Sequence, residues 1–241
     1  PIEPKYAEEI IGKYSWYDNQ KSINKLGYKC RNLEKIFDDI KILIKQDELN
    51  INHLNLTVAR KYEAVKESPN LLITGYPGWL GNRIVEKLSQ ENDLSNSIRF
   101  KKIKLLIQER YIPYLPKLSE NFEIVAGDLS SNESLLKVTK DIDVVWHLAG
   151  TVYPKKKKDH YVVNFLGTKN LAKACIHNKV KRLHFISTDS VCGYETKKKF
   201  FSVEQPYKPY KDYGKSKYQA EELLKFYHSK NLLKVTILRG F

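Results

Sequence analysis

The fold of this chain is decided by one stretch of its sequence, Leu71-Leu72-Ile73-Thr74-Gly75-Tyr76-Pro77-Gly78-Trp79-Leu80-Gly81. A short apolar run of strand length ends in three closely spaced glycines, and helical periodicity begins at Leu80. A glycine-rich turn between a strand and a helix is typical of pyrophosphate sites, because the helix N-terminus faces the anion. Gly75 is expected to allow the tight turn, Gly78 to let the backbone approach the phosphates, and Gly81 to let helix and strand pack closely.

From residue 70 onward, short apolar runs alternate with amphipathic stretches, which indicates a parallel sheet with crossover helices. The predicted strands are Leu71–Thr74, Ile103–Ile107, Phe122–Ala126, Val144–Leu148, Leu183–Ile186 and Val235–Leu238. The predicted helices are Leu80–Leu88, Asn132–Thr139, His160–Asn178 and Tyr213–Ser229. Ser130, with Glu133 three residues later, is expected to cap the second helix. The pattern predicts an α/β fold with a doubly wound parallel sheet, the Rossmann fold, over residues 70–241.

The first 69 residues follow a different pattern. Residues 1–45 are expected to form two short helices, one from Asp18 to Gly27 and one beginning at Asn32. Residues 46–69 are polar and end in Glu67-Ser68-Pro69-Asn70, a composition that predicts a linker into the first strand. The sequence therefore predicts a helical segment, a linker and one nucleotide-binding domain.

The bulk composition describes a folded soluble protein. Of its 241 residues, 41% are hydrophobic and 29% charged, and no apolar run approaches the roughly 20 residues needed to cross a bilayer. Cys30, Cys175 and Cys192 stand at unrelated spacings, which predicts neither a disulfide framework nor a metal site and favours a reducing, cytoplasmic setting.

The formal net charge of +14 raises the question of an anionic partner. Most of the basic residues are lysines spread along the chain, which indicates a solvated surface rather than a nucleic-acid site. The tracts Lys155–Lys158 and Lys197–Lys199 are expected to lie in loops. We therefore expect neither nucleic acid nor a membrane as partner, with nucleic-acid binding through the lysine surface kept as an alternative.

Two further runs follow predicted strands. Gly127-Asp128-Leu129 closes the third strand, where a carboxylate can accept a hydrogen bond from an adenine amine. His147-Leu148-Ala149-Gly150 closes the fourth, where small residues let a cofactor pass close to the backbone. Both therefore belong to the edge of the sheet at which the glycine-rich turn lies.

In their order these runs resemble the extended short-chain dehydrogenase/reductase family, whose pattern is TGxxGxxG, then a DL pair, then an (H/N)xAG turn. The run from Asn164 to Leu171 is similar to the NxxGTxNL signature of the same family. The family includes NAD(P)-dependent epimerases and dehydratases and the dihydroflavonol-reductase-like and hydroxysteroid-dehydrogenase-like enzymes. The resemblance implies that this chain binds NADP or NAD. The residues expected at the dinucleotide are Gly75, Tyr76, Pro77, Gly78, Trp79, Leu80, Gly81, Gln108, Arg110, Asp128, Leu129, Leu148, Ala149, Gly150, Tyr213 and Lys217.

Candidate catalytic residues follow the fifth strand. Tyr213 and Lys217 are four residues apart on a predicted helix, so both side chains emerge on one face. A lysine ammonium near a phenol favours the phenolate, and we expect it to lower the pKa of Tyr213, which would then serve as acid or base. The resemblance further implies that Lys217 holds the nicotinamide ribose and that Thr188 hydrogen-bonds the reacting substrate oxygen.

Two positions depart from the family's patterns. The run Ser187–Gly193 is STDSVCG, with Ser190 where the branch that dehydrates nucleotide sugars has Glu, so dehydration is not expected and oxidation-reduction or epimerisation stays open. At the end of the second strand, NAD users place an acidic residue and NADP users an arginine nearby. Here Gln108 stands at the deciding position, and Arg110 favours NADP.

The two ends of the chain raise a separate question. The run Ser15–Tyr28 resembles the carboxyl-terminal tail of the same family, yet it precedes the nucleotide-binding half. The sequence contains no methionine, and it ends in Leu238-Arg239-Gly240-Phe241, where family members continue LRPG into a substrate lobe. A window from a tandem polypeptide and a permuted chain both explain this order.

Together these features predict an NAD(P)-dependent oxidoreductase or epimerase of the extended family, acting on a small molecule such as a nucleotide sugar, a ketone or an alcohol. By resemblance, helices His160–Asn178 and Tyr213–Ser229 are candidates for a homodimer interface. The alternative is a catalytically silent dinucleotide-binding regulator or scaffold.

Overall fold

The computed structural model describes residues 68–90, 100–154, 156–193, 207–209 and 211–240. Six parallel strands form one sheet in the order β3-β2-β1-β4-β5-β6. The strands are β1 (Asn70–Thr74), β2 (Lys102–Ile107), β3 (Phe122–Ala126), β4 (Val144–His147), β5 (Arg182–Thr188) and β6 (Lys234–Gly240). The strand order reverses between β1 and β4, the place where doubly wound sheets bind their ligands.

Four α-helices connect the strands. They are α1 (Trp79–Gln90), α2 (Asn132–Thr139), α3 (Thr168–His177) and α4 (Asp212–Ser229). Two 3₁₀ segments, Glu109–Tyr114 and Asp189–Val191, follow β2 and β5, and a π-helical segment, His160–Gly167, leads into α3. Among the described residues, none of the helices combines the length and the apolar character that a membrane-spanning segment needs.

The main core lies between the sheet and helices α2, α3 and α4. The central strands are buried on both faces, as expected for parallel strands covered by helices, and Leu71, Leu72 and Ile73 of β1 have no exposed surface. Strand and helix side chains meet in one cluster, which includes Leu72, Leu106, Val145, Leu183, Leu135, Leu171 and Leu224. Each such leucine contributes roughly 1.5–3 kcal/mol through burial, so this cluster is the main source of stability of the domain.

The turn after β1 touches the end of β4 through backbone atoms alone. Gly75 has φ +94°, and a Cβ there would lie 2.6 Å from the Ala149 nitrogen and 2.7 Å from the Leu148 carbonyl carbon. A Cβ on Gly81 would lie 2.5 Å from the Gly75 carbonyl oxygen. Only glycine fits both places, so the turn lies directly against the fourth strand.

The structure confirms the predicted fold class, and the predicted strands match within a few residues. The predicted helix His160–Asn178 is instead a π-helical segment followed by α3. The predicted cap Ser130 is wrong: Ser131 caps α2, its hydroxyl accepting from the Ser134 N–H at 3.2 Å. The reason is that Ser130 donates both its N–H and its hydroxyl to Asp128. The helices predicted in residues 1–45 lie outside the described residues, as does the tract Lys197–Lys199.

The backbone contact at Gly75 can be tested by adding one methyl group. We expect Gly75→Ala to lower the free energy of unfolding by about 2–4 kcal/mol, because the new Cβ adds a strained positive φ to a clash with two backbone atoms. The matched control is Gly240→Ala, since a Cβ on Gly240 meets nothing within 4 Å. Urea unfolding measures both, and equal stability of the two variants would contradict the contact.

Candidate active site

The predicted site residues lie at the carboxyl-terminal edge of the sheet. The glycine turn follows β1, Gln108 follows β2, and Asp128 follows β3. The Leu148–Gly150 run follows β4, and Thr188 ends β5. Helix α4 then carries Tyr213 and Lys217. The parallel topology therefore brings to one edge residues that are up to 142 positions apart (217 − 75) in the sequence.

Lys217 is a buried cation in this site, with 3% of its surface exposed. Its Nζ donates to the Ile186 carbonyl oxygen at 2.8 Å and lies 4.6 Å from the centroid of the Phe185 ring. A Cβ on Gly150 would lie 3.1 Å from the same Nζ. Burial lowers the pKa of Lys217 to about 8, and the negative charge of Glu221 opposes that shift. The ammonium therefore faces the backbone at the end of β4, and most of it stays charged at neutral pH.

Tyr213 lies one turn before Lys217 and hydrogen-bonds with the Thr188 side chain. Burial raises the pKa of Tyr213, the hydrogen bond with Thr188 lowers it, and the charge of Asp189 raises it further. The predicted lowering of this pKa by Lys217 is therefore wrong. The physical reason is that burial of the phenol is the largest effect on this pKa and Lys217 is not among the groups that shift it.

The turn after β5 surrounds Thr188 with polar partners. Its hydroxyl donates to Asp189 Oδ1 at 3.0 Å and accepts from the Ser190 N–H at 3.2 Å. The Ser190 hydroxyl is 3.5 Å from the same Asp189 oxygen. Asp189 is the acidic residue of this turn, as the sequence shows.

His147 connects β1, β4 and α3 below the site. Its Nδ1 is 2.7 Å from the Thr74 hydroxyl, and its Nε2 is 2.9 Å from the Thr168 hydroxyl. Because Thr168 donates its own proton to the Asn164 carbonyl oxygen at 2.7 Å, we assign the proton of the imidazole to Nε2. Complete burial, aided by the charge of Lys217, lowers the pKa of His147 to about 3, so the ring is neutral. The sequence indicated the turn but not this role.

Asn164 is a second residue whose role sequence reasoning missed. Its fully buried amide donates to the Thr151 carbonyl oxygen at 3.0 Å and to the Ser216 hydroxyl at 3.1 Å. Its Oδ1 accepts from the Thr151 N–H at 2.8 Å. The position could have been found in the sequence, because Asn164 opens the NxxGTxNL run. The π-helical turn directs its side chain at the chain segment that follows Gly150.

The predicted cofactor-selecting residues form a chain of hydrogen bonds. Gln108 Oε1 accepts from Arg110 Nε at 3.0 Å and from a terminal nitrogen at 2.6 Å, and its Nε2 donates to Asp128. Burial opposes ionisation of Asp128, but hydrogen bonds from Ser130 and Gln108 and the charge of Arg110 lower its pKa overall. The Arg110 guanidinium also lies 4.8 Å from the Tyr111 ring centroid. Gln108 therefore holds the exposed, positively charged Arg110 guanidinium in place beside β2.

The arrangement fits a dinucleotide. Gly75 and Gly78 have no side chains, so the backbone of the turn is uncovered at these two positions. The first N–H groups of α1 have no acceptor within their own helix. After β4, Gly150 has no side chain, so no side chain covers the backbone next to the Lys217 ammonium. Asp128 and the Gln108–Arg110 pair lie after the neighbouring strands β3 and β2. Hydrogen-bond donors for a pyrophosphate and partners for two riboses thus occupy one edge.

The model of the NAD-dependent epimerase/dehydratase family matches residues 71–241, which is more than half of the chain. The chain belongs to this family. The resemblance to extended short-chain dehydrogenases and reductases is thereby confirmed. The match covers all six strands and the four α-helices that the structure describes.

Individual relatives show what the chain is similar to. It is 28% identical to a UDP-glucose 4-epimerase from Vibrio cholerae, over 72% of this chain and 52% of the relative. A glucuronic acid dehydrogenase from Chromohalobacter salexigens superposes with a TM-score of 0.61 at 26% identity, over 72% of this chain and 61% of that one. A short-chain dehydrogenase/reductase from Agrobacterium tumefaciens, solved with bound NAD, superposes with a TM-score of 0.56 at 25% identity, over 70% and 48%. The chain spans about half the length of the curated relatives it matches.

The burial of Lys217 has a consequence for stability. Its pKa in the folded chain lies below the ordinary value, so the folded state disfavours the charged form. The loss of folding stability caused by burying the charged lysine is fully present below pH 8 and disappears as the pH rises towards 10.5. We therefore expect Lys217→Met to raise the free energy of unfolding at pH 7 by roughly 2 kcal/mol, with a smaller gain at pH 9.5.

Urea unfolding at the two pH values measures this gain. The control is Lys215→Met, which removes an exposed lysine from the same helix and should change stability little at either pH. A Lys217→Met protein that is less stable than the wild type at pH 7 would contradict the account of a costly buried charge.

Proposed function

We propose that this chain carries the cofactor-binding and catalytic half of an NAD(P)-dependent oxidoreductase or epimerase that acts on a sugar, with a nucleotide sugar as the first candidate. The observation that carries the proposal is the convergence of Thr188, Tyr213 and the buried Lys217 ammonium beside Gly150. All of these lie at the sheet edge that carries the glycine turn. A buried lysine costs stability, and a constellation of perturbed groups at a ligand-binding edge indicates function.

Each residue of this group has a distinct task. Lys217 donates to the nicotinamide ribose hydroxyls and supplies positive charge. Thr188 hydrogen-bonds the reacting substrate oxygen, and Tyr213, in contact with Thr188, moves the proton of that same oxygen. The nicotinamide, when bound, supplies the hydride chemistry.

The raised pKa of Tyr213 bears on the direction of proton transfer. Burial keeps the phenol protonated at neutral pH, so Tyr213 is poised to donate a proton to a carbonyl oxygen. The protonated phenol is the form that reduction of a carbonyl needs, and the same oxygen accepts the proton in the reverse reaction.

The substrate class is supported by the relatives. Their names include a UDP-glucose epimerase and a glucuronic acid dehydrogenase, which have in common a sugar as substrate. Ser190, a neutral residue beside Asp189, offers no second carboxylate for an elimination. Epimerisation or simple oxidation-reduction of a sugar is therefore favoured over dehydration.

For the cofactor, the Gln108–Arg110 pair favours NADP. Both hydrogen bonds to Gln108 Oε1 come from Arg110, so this oxygen is a poor acceptor for a ribose 2′-hydroxyl. The exposed guanidinium that results is suited to a 2′-phosphate. NAD, which is bound in the solved relative from Agrobacterium tumefaciens, is the alternative.

The catalytic assignment is tested with Tyr213→Phe. We expect NADP(H) binding within about twofold of the wild type and turnover of the sugar substrate lowered by at least about 100-fold, because the proton donor is lost. Turnover is followed by nicotinamide absorbance over a panel of UDP- and dTDP-sugars and free uronates. Tyr218→Phe, on the same helix, is the control and should keep its activity.

The outcomes separate the proposed functions. Full turnover in Tyr213→Phe would overturn the role of the tyrosine. A full-length polypeptide that binds dinucleotide tightly but turns over no member of the panel would favour the silent regulator instead.

The cofactor preference is tested with Arg110→Ala. We expect about a tenfold loss of NADPH affinity, because one guanidinium–phosphate contact disappears, and no change for NADH. Titration with each cofactor, followed by nicotinamide fluorescence, gives both values, and Arg83→Ala on α1 controls for the change in net charge. Equal losses for NADPH and NADH would contradict selection by Arg110.

A further inference from the structure

A buried ion pair lies behind the proposed catalytic residues. Glu221 on α4 has no exposed surface, and Arg239 on β6 holds both of its carboxylate oxygens. Arg239 Nε donates to Glu221 Oε1 at 2.9 Å, and a terminal nitrogen donates to Oε2 at 2.6 Å. A two-point contact of this kind fixes the orientation of the carboxylate as well as its distance.

The pair ties together the elements that carry the site. The Ser187 hydroxyl, one residue before Thr188, donates to Glu221 Oε1 at 2.5 Å. Arg239 pairs with Ser187 in the sheet and donates to the Tyr207 hydroxyl at 2.8 Å, with its guanidinium 4.3 Å from the Tyr207 ring centroid. Glu221 is four residues after Lys217, so the two share one face of α4.

Few charges act on the Lys217 ammonium. Among the described residues, the titratable groups on α4 and on the elements around it include Tyr213, Glu221, His147, His160, Tyr161, Cys175, His184, Asp189, Cys192 and Arg239. Two of these interact with it: Glu221, which is negative, and His147, which burial keeps neutral. Glu221, four residues after Lys217 on α4, is therefore the anion that raises the pKa of Lys217.

We propose that Glu221 is a positioning residue for Lys217: held by Arg239 and Ser187, its carboxylate fixes the second turn of α4 against β5 and supplies the negative charge that the buried ammonium requires. The hydrogen bonds of Glu221 with Arg239 and Ser187 support its positioning role. The assignment rests on the proposed function only in that Lys217 is taken to hold the cofactor.

The electrostatic half follows from burial. The pKa of Lys217 has already fallen to about 8, close to the pH of the cell, and Glu221 limits that fall. Without this carboxylate the balance at neutral pH would move towards the neutral amine, which cannot act as a cation beside the cofactor. Lys217 can therefore be both buried and charged because Glu221 is present.

The test removes the pair as a unit. Glu221→Gln/Arg239→Met leaves no unpaired buried charge, so the fold should survive, as it often does when a buried ion pair is replaced by neutral side chains. The readout is the pH titration of the Lys217 Nζ resonance in ¹⁵N-lysine-labelled full chain, assigned with Lys217→Met. Glu222→Gln is the matched control, since Glu222 is an exposed glutamate of the same helix that pairs with Lys225 at 2.8 Å.

We expect the titration midpoint to fall by about one pH unit in the double variant and to stay unchanged in Glu222→Gln. A folded double variant with the wild-type midpoint would overturn the proposal, because a merely structural role would not move it. Glu221→Gln alone, which keeps Arg239 on Tyr207, is the second variant and should show a fall at least as large, because the Arg239 cation then stays without its carboxylate. Failure of both to fold would also overturn the proposal, since the pair would then serve the fold rather than Lys217.

A second measurement separates this inference from the proposed function. NADPH binding to the folded variant should weaken several-fold at pH 8.5 and little at pH 6.5, following the charge of Lys217. A wild-type chain that binds no dinucleotide would refute the proposed function, while the resonance titration would still decide the role of Glu221.

Discussion

The site depends on the contact between the Gly75 turn and the Leu148–Ala149 peptide. Two backbones meet there with no side chain between them, at the point where the strand order reverses. A bulkier residue would separate β1 from β4 and move the amide groups of α1 away from the edge that carries Lys217. The hydrogen bonds of His147 to Thr74 and Thr168 connect the same two strands to α3. One close approach therefore aligns the glycine turn with the proposed catalytic residues.

Charge in the site is organised around one buried cation. The Lys217 ammonium lies over the Phe185 ring and is hydrogen-bonded to the Ile186 carbonyl oxygen. The neutral His147 ring stacks with the same Phe185 ring, and the Glu221–Arg239 pair follows on α4 and β6. This arrangement costs stability and gives a cation at a place that water does not reach. We propose that this cation holds ribose hydroxyls of the cofactor with little competition from solvent.

The sequence predicted most of the fold because the signals were local. The apolar runs, the three glycines of the first turn and the four-residue spacing of Tyr213 and Lys217 each depend on neighbours within a few positions. What it missed depends on distant contacts. Nothing near Glu221 indicates that Arg239, 18 residues later, holds its carboxylate. The predicted direction of the Tyr213 pKa shift was wrong because burial of the phenol, a tertiary feature, is the largest effect on it. The Ser130 cap is an exception, because Asp128, only two residues earlier, accepts both hydrogen bonds from Ser130.

The central claim is that this edge of the sheet binds a nicotinamide dinucleotide. The most direct test is a titration of the folded chain with NADPH and with NADH, followed by nicotinamide fluorescence. The account predicts saturable binding at one site per chain, with the two cofactors competing. A chain that unfolds cooperatively, and is therefore folded at the start, but binds neither cofactor would contradict it.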